Sequence, residues 1–377
     1  MILGRLFLVA QAASAALALS RLARGRVRRA PLAAGAPAPQ ASISVVIPAR
    51  DEVERIGPCL AGLRGDPDVG ELIVVVDEDD RSATAQVAHD AGARVLRAPA
   101  PPAGWIGKPR ALQVGLEAAS GTWLVTLDAD TRPRHGLLRA LVAELGDADL
   151  VTAGVRFVCD TFGERLLHPA MLATLVYRFG PVGADGGRAV RTVANGQCLA
   201  MRRSALLAAG GFARERGFMT DEIALVRSLA VAGWRVVFVD GADLIAVDMH
   251  ADAREVWREW GRSLSMGDVT PPAWQALDLA VIWLAMAAPP LRLAARRGTA
   301  LDVLLLAVRW LLLGALRRVY ERRGVPFWLS PLADPLAAAR LTLSTLRPVR
   351  TWRGRTYPRS AQMRDSSIIG PRGSVRR

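Results

Sequence analysis

The amino-acid sequence predicts an α/β fold, with a mostly parallel, Rossmann-like sheet covered by helices on both faces and membrane helices near both ends of the chain. The first observation is that short β-branched runs alternate with stretches of helical spacing from residue 44 to residue 127, which is typical of βαβ units. The second is the presence of long apolar regions at the N-terminus and after residue 274. The third is that acidic residues follow successive predicted strands, where ligands of parallel sheets bind.

The elements of the predicted sheet follow from local patterns. The predicted strands are short apolar runs at residues 44–48, 71–77, 94–97 and 123–127. The predicted helices carry apolar residues at helical spacing over residues 52–63, 81–91 and 108–119. Farther along, a strand is expected to begin at Cys198, and a helix directly after Glu222.

The composition divides the chain into six predicted segments. These are an N-terminal membrane anchor (1–22), an Arg/Pro/Ala linker (23–42), the α/β domain (43–250), an amphipathic interfacial helix region (251–273), membrane-associated helices (274–347) and a basic tail (348–377). A signal peptide is the alternative for the first segment, and buried core helices are the alternative for the apolar stretches of the fifth. The arginines after residue 20 predict that the α/β domain of a multi-pass or multiply anchored membrane protein faces the cytoplasm.

The overall composition excludes some classes of protein. With 377 residues, 51% of them hydrophobic, and a net charge of +14, the chain is too apolar to be disordered. Its positive charge is nearly all arginine, without the aromatic interleaving or recognition motifs of nucleic-acid binders, so no nucleic-acid partner is expected. Cys59, Cys159 and Cys198 lie far apart in sequence, which argues against a disulfide framework and a structural zinc site.

Acidic residues follow three of the predicted strands. Asp51 and Glu52 come after the first, Asp77 ends the second, and Asp128 and Asp130 follow the fourth. Such a cluster at one sheet edge needs a compensating cation or hydrogen-bond donors. If the segment is extended, the last two carboxylates point the same way and suit a hard divalent cation that also binds phosphate oxygens. A chance Asp-X-Asp pattern at a helix cap is the alternative.

Other candidate residues each have a structural alternative. Asp77 could accept hydrogen bonds from a nucleobase or ribose, or belong to a solvated turn in which neighbouring acids cap the next helix. Lys108, the only lysine of the chain, could face a diphosphate as a compact cation or lie on the surface. Asp221 and Glu222 begin an apolar-periodic helix, where acids are favoured in any protein, although a carboxylate there could serve as a general base.

These motifs together resemble the inverting family 2 glycosyltransferases with the GT-A fold. The matching segments are SVVIPARDE, IVVVDEDDRSAT, the GK at residues 107–108, LDAD, NGQCLAMRR with the later GGF, and TDEIAL followed by GWRV. They occur in the family's order across residues 43–247. The flanking apolar helices and the trailing WRGRTY at residues 352–357 resemble the membrane-bound branch that includes ceramide, hopanoid-associated and carotenoid-type glycosyltransferases.

The resemblance implies roles for the candidate residues. It implies that Ala49, Asp51 or Glu52, and Asp77 frame the base and ribose of a nucleotide diphosphate sugar, with a UDP-sugar the expected donor, and that Lys108 lies beside the nucleotide. Asp130 and Asp128 would bind Mg²⁺ or Mn²⁺ through the diphosphate.

Three further residues carry predictions. Asp221 and Glu222 correspond to the family's acid pair with the two residue types exchanged, which leaves open which one is the base, although register favours Glu222. Arg262 could contact the diphosphate, or face lipid headgroups from an amphipathic helix.

The predicted reaction is transfer of a single hexose to a lipid or isoprenoid-type acceptor at the membrane. The region that aligns with the processive motif of polysaccharide synthases keeps only Arg262 in register, which favours single transfer. Two alternatives are a non-catalytic membrane scaffold with a degenerate nucleotide-sugar domain, and a nucleotidyltransferase. The latter would normally carry a glycine-rich basic loop after the first strand, where this chain has PARDE.

Overall fold

The structure, a computed structural model, describes residues 2–184, 188–352 and 355–357. The chain groups into two compact units. The helical unit comprises Met1–Arg28, Arg156–Asp185 and Asp248–Val349, and the sheet unit comprises Arg29–Val155, Gly186–Val247 and Arg350–Arg377. Most of the predicted basic tail, residues 358–377, lies outside the described residues.

The strands in chain order are β1 (Ile43–Ala49), β2 (Val69–Asp77), β3 (Arg94–Ala98), β4 (Trp123–Leu127), β5 (Thr131–Pro133), β6 (Leu150–Gly154), β7 (Arg156–Phe157), β8 (Cys198–Arg202), β9 (Val236–Asp240), β10 (Ile245–Val247), β11 (Thr351–Trp352) and β12 (Arg355–Thr356). The helices in chain order are α1 (Ile2–Ala23), α2 (Ile56–Leu63), α3 (Thr84–Asp90), α4 (Gly107–Ala118), α5 (Leu137–Glu144), α6 (Phe162–Phe179), α7 (Arg203–Ala208), α8 (Asp221–Val231), α9 (Ala253–Ser263), α10 (Pro272–Val281), α11 (Ala288–Ala294), α12 (Ala300–Leu316), α13 (Gly324–Trp328) and α14 (Asp334–Leu346). Short 3₁₀ segments lie at Arg24–Arg26, Ala189–Arg191, Gly211–Glu215, Arg317–Val319 and Ser330–Ala333, and a π-helical turn spans Ile282–Ala287.

The main sheet has the strand order β3-β2-β1-β4-β8-β6-β9. Strand β1 pairs in parallel with both β2 and β4, whereas β8 is antiparallel to β4 and to β6. The predicted mostly parallel α/β sheet is therefore confirmed, and its first four strands lie at the predicted positions. Because β1 lies between β2 and β4, the carboxyl ends of these three strands meet at one edge of the sheet.

Close contact between a helix and the sheet holds this edge in place. Val46 of β1 and Val75 of β2 are fully buried beneath α4. A Cβ atom on Gly115 of α4 would lie 2.3 Å from Cγ1 of Val46, so α4 can approach the sheet this closely only because residue 115 has no side chain. The N-terminus of α4, which carries Lys108, is thereby fixed beside the carboxyl ends of the strands.

The second half of the predicted linker belongs to the sheet unit. Leu32 is buried, and its backbone N–H donates to the carbonyl oxygen of Asp240 at the end of β9, at 2.8 Å. A Cβ atom on Gly136, which has φ +90°, would lie 3.0 Å from the carbonyl oxygen of Ala34. Residues 32–34 are therefore packed against the sheet unit.

In the helical unit, ionisable residues of the apolar segments are paired with one another. Asp302 of α12 accepts a hydrogen bond from Gln11 of α1 at 2.7 Å and forms an ion pair with Arg292 at 3.1 Å. Arg309 of α12 pairs with Asp334 of α14 at 2.9 Å. Because an unpaired buried charge is costly, these contacts account for charges that interrupt otherwise apolar stretches.

The N-terminal helix is part of the core of the helical unit. Ala15 and Ala18 of α1 are buried in its main apolar cluster, and Arg21 pairs with Asp278 at 3.2 Å. Among the described residues, two helical segments are long and apolar enough to cross a membrane, Gly4–Arg26 and Pro272–Ala294. The second contains the π-helical turn, which ends two positions before the pair Pro289 and Pro290, residues without the N–H that a regular helix needs.

One grouping differs from the sequence prediction. The predicted α/β domain, 43–250, includes residues 156–185, but these residues group with the helical unit and contain α6. The predicted helical segment 274–347 ends with α13 and α14, which a 3₁₀ segment containing Pro331 separates. The amphipathic helix predicted near residue 257 is present as α9, where Trp257 and Trp260 pack partly buried against the apolar cluster of the helical unit.

Candidate active site

The Asp-X-Asp pattern lies in a tight turn at the end of β4. The backbone N–H and the hydroxyl of Thr131 both donate to the carbonyl oxygen of Asp128, at 3.1 and 2.7 Å. The backbone N–H of Asp128 donates to the carbonyl oxygen of Gln197 at 3.1 Å. The prediction that residues 128–130 are extended is therefore wrong, because these local hydrogen bonds close a turn between β4 and β5.

Lys108 is bonded to the first aspartate of this turn. Its Nζ lies 2.7 Å from Oδ1 of Asp128, and its side chain is four-fifths buried. The loop before it is held by the backbone N–H of Ile106, which donates to the carbonyl oxygen of Arg216 at 2.6 Å. Burial opposes the charge of the ammonium group, but Asp128 and the more distant Asp221 and Glu222 raise its pKa above the ordinary lysine value. The alternative interpretation of Lys108 as an unpartnered surface lysine is therefore wrong, because its side chain is mostly buried and paired with Asp128.

Asp130 has an unsatisfied carboxylate oxygen. Its Oδ1 is buried and has no hydrogen-bond partner, and burial together with the charges of Asp128 and Glu52 raises its pKa to about 7. A hard cation would satisfy this oxygen and stabilise the ionised form. Within the residues that the structure describes, no group of three acidic, histidine or cysteine side chains is arranged for a metal. The two aspartates therefore fit a cation whose other ligands come from elsewhere, such as phosphate oxygens.

The acid pair begins helix α8. Burial and the neighbouring Asp221 raise the pKa of Glu222 to about 8, although Lys108 opposes the shift. A Cβ atom on Gly196 would lie 3.0 Å from Cδ of Glu222, so the glycine of the Asn-Gly-Gln motif leaves room for this carboxyl group. The raised pKa is what a general base active near neutral pH requires. Lys108 interacts electrostatically with Asp128 and also with Asp221 and Glu222, so its charge acts on both the Asp-X-Asp turn and the acid pair.

The end of β1 is joined to the turn after β2. Ala49 is buried at the last position of β1. Asp51 adopts a left-handed backbone conformation, with φ +55°, and its N–H donates to Oδ2 of Asp80 at 3.1 Å. The N–H of Glu52 donates to the hydroxyl of Thr84 at 3.0 Å, and Glu52 is close enough to Asp130 to raise its pKa. The three residues predicted at the end of β1 therefore lie at the same edge as the aspartates of β4.

Asp77 is bound by two arginines that the sequence analysis did not assign to the site. Arg50 Nη1 lies 2.5 Å and Arg355 Nη1 lies 3.1 Å from its Oδ2. Both arginines also reach Asp79. Arg50 belongs to the PARDE segment and Arg355 to the WRGRTY segment, so both stand within motifs that were noted without a role for the arginine. The alternative that a neighbouring acid caps the next helix is wrong for Asp80. Its Oδ1 accepts the N–H of Ser82 at 2.8 Å, two residues before α3 begins, and the N-cap residue of α3, Ala83, makes no side-chain capping bond.

Arg262 does not lie in the sheet unit. It belongs to α9 of the helical unit, where its guanidinium bonds Glu259 at 3.0 Å. Arg258, on the same helix, bonds both Glu255 and Glu259. Contact of Arg262 with a diphosphate stays a prediction from the sequence.

Comparisons with known proteins show the family to which the chain belongs. Residues 39–275 match the family model described as glycosyltransferase like family 2. An uncharacterised glycosyltransferase of Mycobacterium tuberculosis is 34% identical over 200 residues, which is 53% of this chain and 84% of that protein. A 4,4'-diaponeurosporenoate glycosyltransferase of Staphylococcus haemolyticus is 37% identical over 91 residues, 24% of each chain.

The fold is also found in a solved structure. A mannosyltransferase from Pyrobaculum calidifontis, in complex with GDP-mannose and Mn²⁺, has a TM-score of 0.55 and 19% identity, covering 90% of this chain and 98% of that one. At this identity the likeness concerns the fold, which is the GT-A fold expected from the motifs. The family match covers more than half of the chain and includes all the strand-end acids described above. The chain belongs to the glycosyltransferase like family 2 and is a glycosyltransferase.

Proposed function

We propose that this glycosyltransferase transfers one hexose from a nucleotide diphosphate sugar, with a UDP-sugar the expected donor, to a hydroxyl or carboxyl group of a lipid or isoprenoid-type acceptor, and that the reaction inverts the anomeric configuration. The observation that carries the proposal is the ion pair of Lys108 with Asp128 at 2.7 Å, in a position where the ammonium charge also acts on Asp130, Asp221 and Glu222. It joins a cation-binding turn to a candidate base within one unit.

The residues divide into two functional groups. Asp128 and Asp130 would hold Mg²⁺ or Mn²⁺ against the diphosphate, and Lys108 would supply a further positive charge there. When bound, the cation neutralises the charge that develops on the leaving nucleoside diphosphate. Ala49, Asp51, Glu52 and Asp77 would frame the base and ribose at the ends of β1 and β2.

The acid pair supplies the proton chemistry. Glu222 accepts the proton of the acceptor hydroxyl as the acceptor oxygen forms a bond to the anomeric carbon. The bond from that carbon to the diphosphate oxygen breaks, and its electron pair leaves with the nucleoside diphosphate. A single displacement of this kind inverts the configuration. Asp221 raises the proton affinity of Glu222, because two adjacent carboxylates do not readily ionise together.

The helical unit supports a membrane-bound acceptor. Two of its segments are long and apolar enough to cross a bilayer, and large apolar side chains such as Val9 of α1 and Leu311 of α12 are exposed. Exposed apolar surface of this kind is favourable in lipid. We therefore propose that the protein is a multiply anchored membrane protein whose sheet unit faces the cytoplasm, where the arginines that follow α1 would lie.

The test is a transfer assay with membranes that contain the wild-type protein or the Asp130→Ala variant. Membranes are incubated with Mn²⁺ and radiolabelled UDP-glucose or GDP-mannose, then extracted with organic solvent. We expect label in the lipid extract with wild type and none above background with the variant. Label that appears only in water-soluble product would contradict the lipid acceptor. No transfer and no nucleotide binding by wild type would favour the non-catalytic scaffold.

A further inference from the structure

The C-terminal hairpin brings a basic side chain to the strand-end acids. Strands β11 and β12 pair antiparallel, Thr351 with Thr356 and Trp352 with Arg355. The N–H of Tyr357 donates to the carbonyl oxygen of Arg350 at 2.9 Å, and Arg350 Nε donates to the carbonyl oxygen of Tyr357 at 3.0 Å. These contacts fix the strand on which Arg355 stands, 278 positions after Asp77 in the chain.

Arg355 bridges two carboxylates with the two ends of its guanidinium. Nη1 lies 3.1 Å from Oδ2 of Asp77, and Nη2 lies 2.6 Å from Oδ1 of Asp79. A planar guanidinium can bond two acceptors at once in a fixed geometry, which a lysine ammonium cannot reproduce. The hydrogen bond from Arg355 is the leading cause that lowers the pKa of Asp79.

The two carboxylates differ in how much they depend on this contact. The side chain of Asp77 is 5% exposed, whereas that of Asp79 is 51% exposed and can be solvated. Without Arg355, Arg50 would be the one arginine that bonds Asp77 among the contacts described here, and it would still have to serve Asp79. A buried carboxylate that loses one of its charged partners is strongly disfavoured, so the Asp77 side chain would turn toward water.

We infer that Arg355 is a positioning residue of the donor-nucleotide site, which holds the Asp77 carboxylate in place for the nucleoside part of the donor. The C-terminal hairpin is then part of the binding site. This inference rests on the proposed function, which assigns Asp77 to the base and ribose. Because Arg355 acts through Asp77, its loss weakens the binding of a nucleoside and of its diphosphate by similar factors, and it raises KM for the donor more than it lowers kcat.

The experiment compares three variants of the full-length protein in detergent. Arg355→Ala removes the bridge, and Arg355→Lys keeps the charge but can bond one carboxylate at a time. Arg347→Ala is the control, because this arginine is exposed and, among the described residues, is not one of the arginines that bond Asp77 or Asp79. Affinities for UDP, GDP, uridine and guanosine are measured by titration in Mn²⁺, together with KM and kcat for transfer and the midpoint of thermal unfolding.

We expect Arg355→Ala to lower the affinity for the nucleoside diphosphate that wild type binds, and for the corresponding nucleoside, about tenfold each. Arg355→Lys should recover part of this affinity, and the control should match wild type. Equal or tighter binding by Arg355→Ala would overturn the inference. A lower affinity for the nucleoside diphosphate with an unchanged affinity for the nucleoside would also overturn it, because Arg355 would then act on phosphate rather than through Asp77. If Arg355→Ala does not fold, the lysine variant decides by the same criteria. Failure of wild type to bind any of the four ligands would instead refute the proposed function itself.

Discussion

Substitution of the candidate base tests the electrostatics of the site through stability as well as through activity. Glu222→Gln removes a carboxyl group whose pKa rises from 4.5 to about 8 in the folded protein, because it is half-buried and lies beside Asp221. Between these two values the unfolded chain has lost the proton that the folded protein keeps. Raising the pH across this window therefore destabilises the wild-type protein. The glutamine variant loses no stability in this way, because its side chain does not ionise.

The magnitude follows from the size of the pKa change. At about 1.4 kcal/mol per pH unit, the rise from 4.5 to about 8 sets an upper bound of roughly 5 kcal/mol. Glu222 is only half-buried, so water screens part of this effect, and we expect about 2 kcal/mol to be observed. For a unit of this size that corresponds to an increase of roughly 4–8 °C in Tm.

The assay is thermal unfolding in detergent with EDTA and without nucleotide, at pH 5, 6.5 and 8.5. We expect the Tm of Glu222→Gln to be closest to that of wild type at pH 5, near the lower end of this window, and to exceed it increasingly at higher pH. Glu54→Gln, at an exposed position, is the control and should show no such trend. The same variant should lose roughly two to four decades of transfer rate while nucleotide binding persists. A Tm difference that does not grow with pH, or activity close to wild type, would refute the reasoning.

Three further predictions concern the metal site, the packing of α4 and the N-terminal helix. Asp130→Asn should abolish the effect of Mn²⁺ on nucleotide affinity, whereas Asp147→Asn, at an exposed position, should retain it; equal metal dependence in both variants would remove Asp130 from the site. Gly115→Ala should lower the stability of the protein by about 1–3 kcal/mol in chemical denaturation because its Cβ would overlap Val46, whereas Gly57→Ala, with open space around it, should be neutral or stabilising. A peptide tag placed before α1 should remain on the protein extracted from membranes, because Gln11 and Arg21 bond other helices of the same unit; recovery of a protein that has lost the tag and α1 would favour a signal peptide.

The sequence was sufficient to predict the parallel part of the sheet and the edge at which the acids lie. The first four strands are apolar runs flanked by helical spacing, and this local pattern fixed both their positions and the placement of Asp77 and Asp128 at their ends. The same pattern did not predict the turn at residues 128–130, because it depends on the bonds from Thr131 to the carbonyl oxygen of Asp128.

The features that the sequence did not predict depend on contacts between distant residues. Arg355 reaches Asp77 from a hairpin near the other end of the chain, and no spacing rule connects the two positions. The pairing of Asp302 and Arg309 within an apolar segment was not predictable from that segment alone, since their partners Arg292 and Asp334 lie on other helices. The grouping of α6 with the helical unit was not predicted, because it depends on contacts of α6 with residues far from it in sequence, such as Ala15, Val256 and Ala338 in the same apolar cluster.

The central claim is that the acids at the strand ends bind a cation together with the donor diphosphate. It is tested most directly by titrating UDP and GDP into the wild-type protein and into the Asp128→Asn, Asp130→Asn double variant, each in Mn²⁺ and in EDTA. We predict that one of the two nucleotides binds the wild-type protein in Mn²⁺ and binds it much more weakly in EDTA. With the double variant, the affinity for that nucleotide should be the same in both conditions. Nucleotide binding by wild type that is the same with and without the metal would contradict the account.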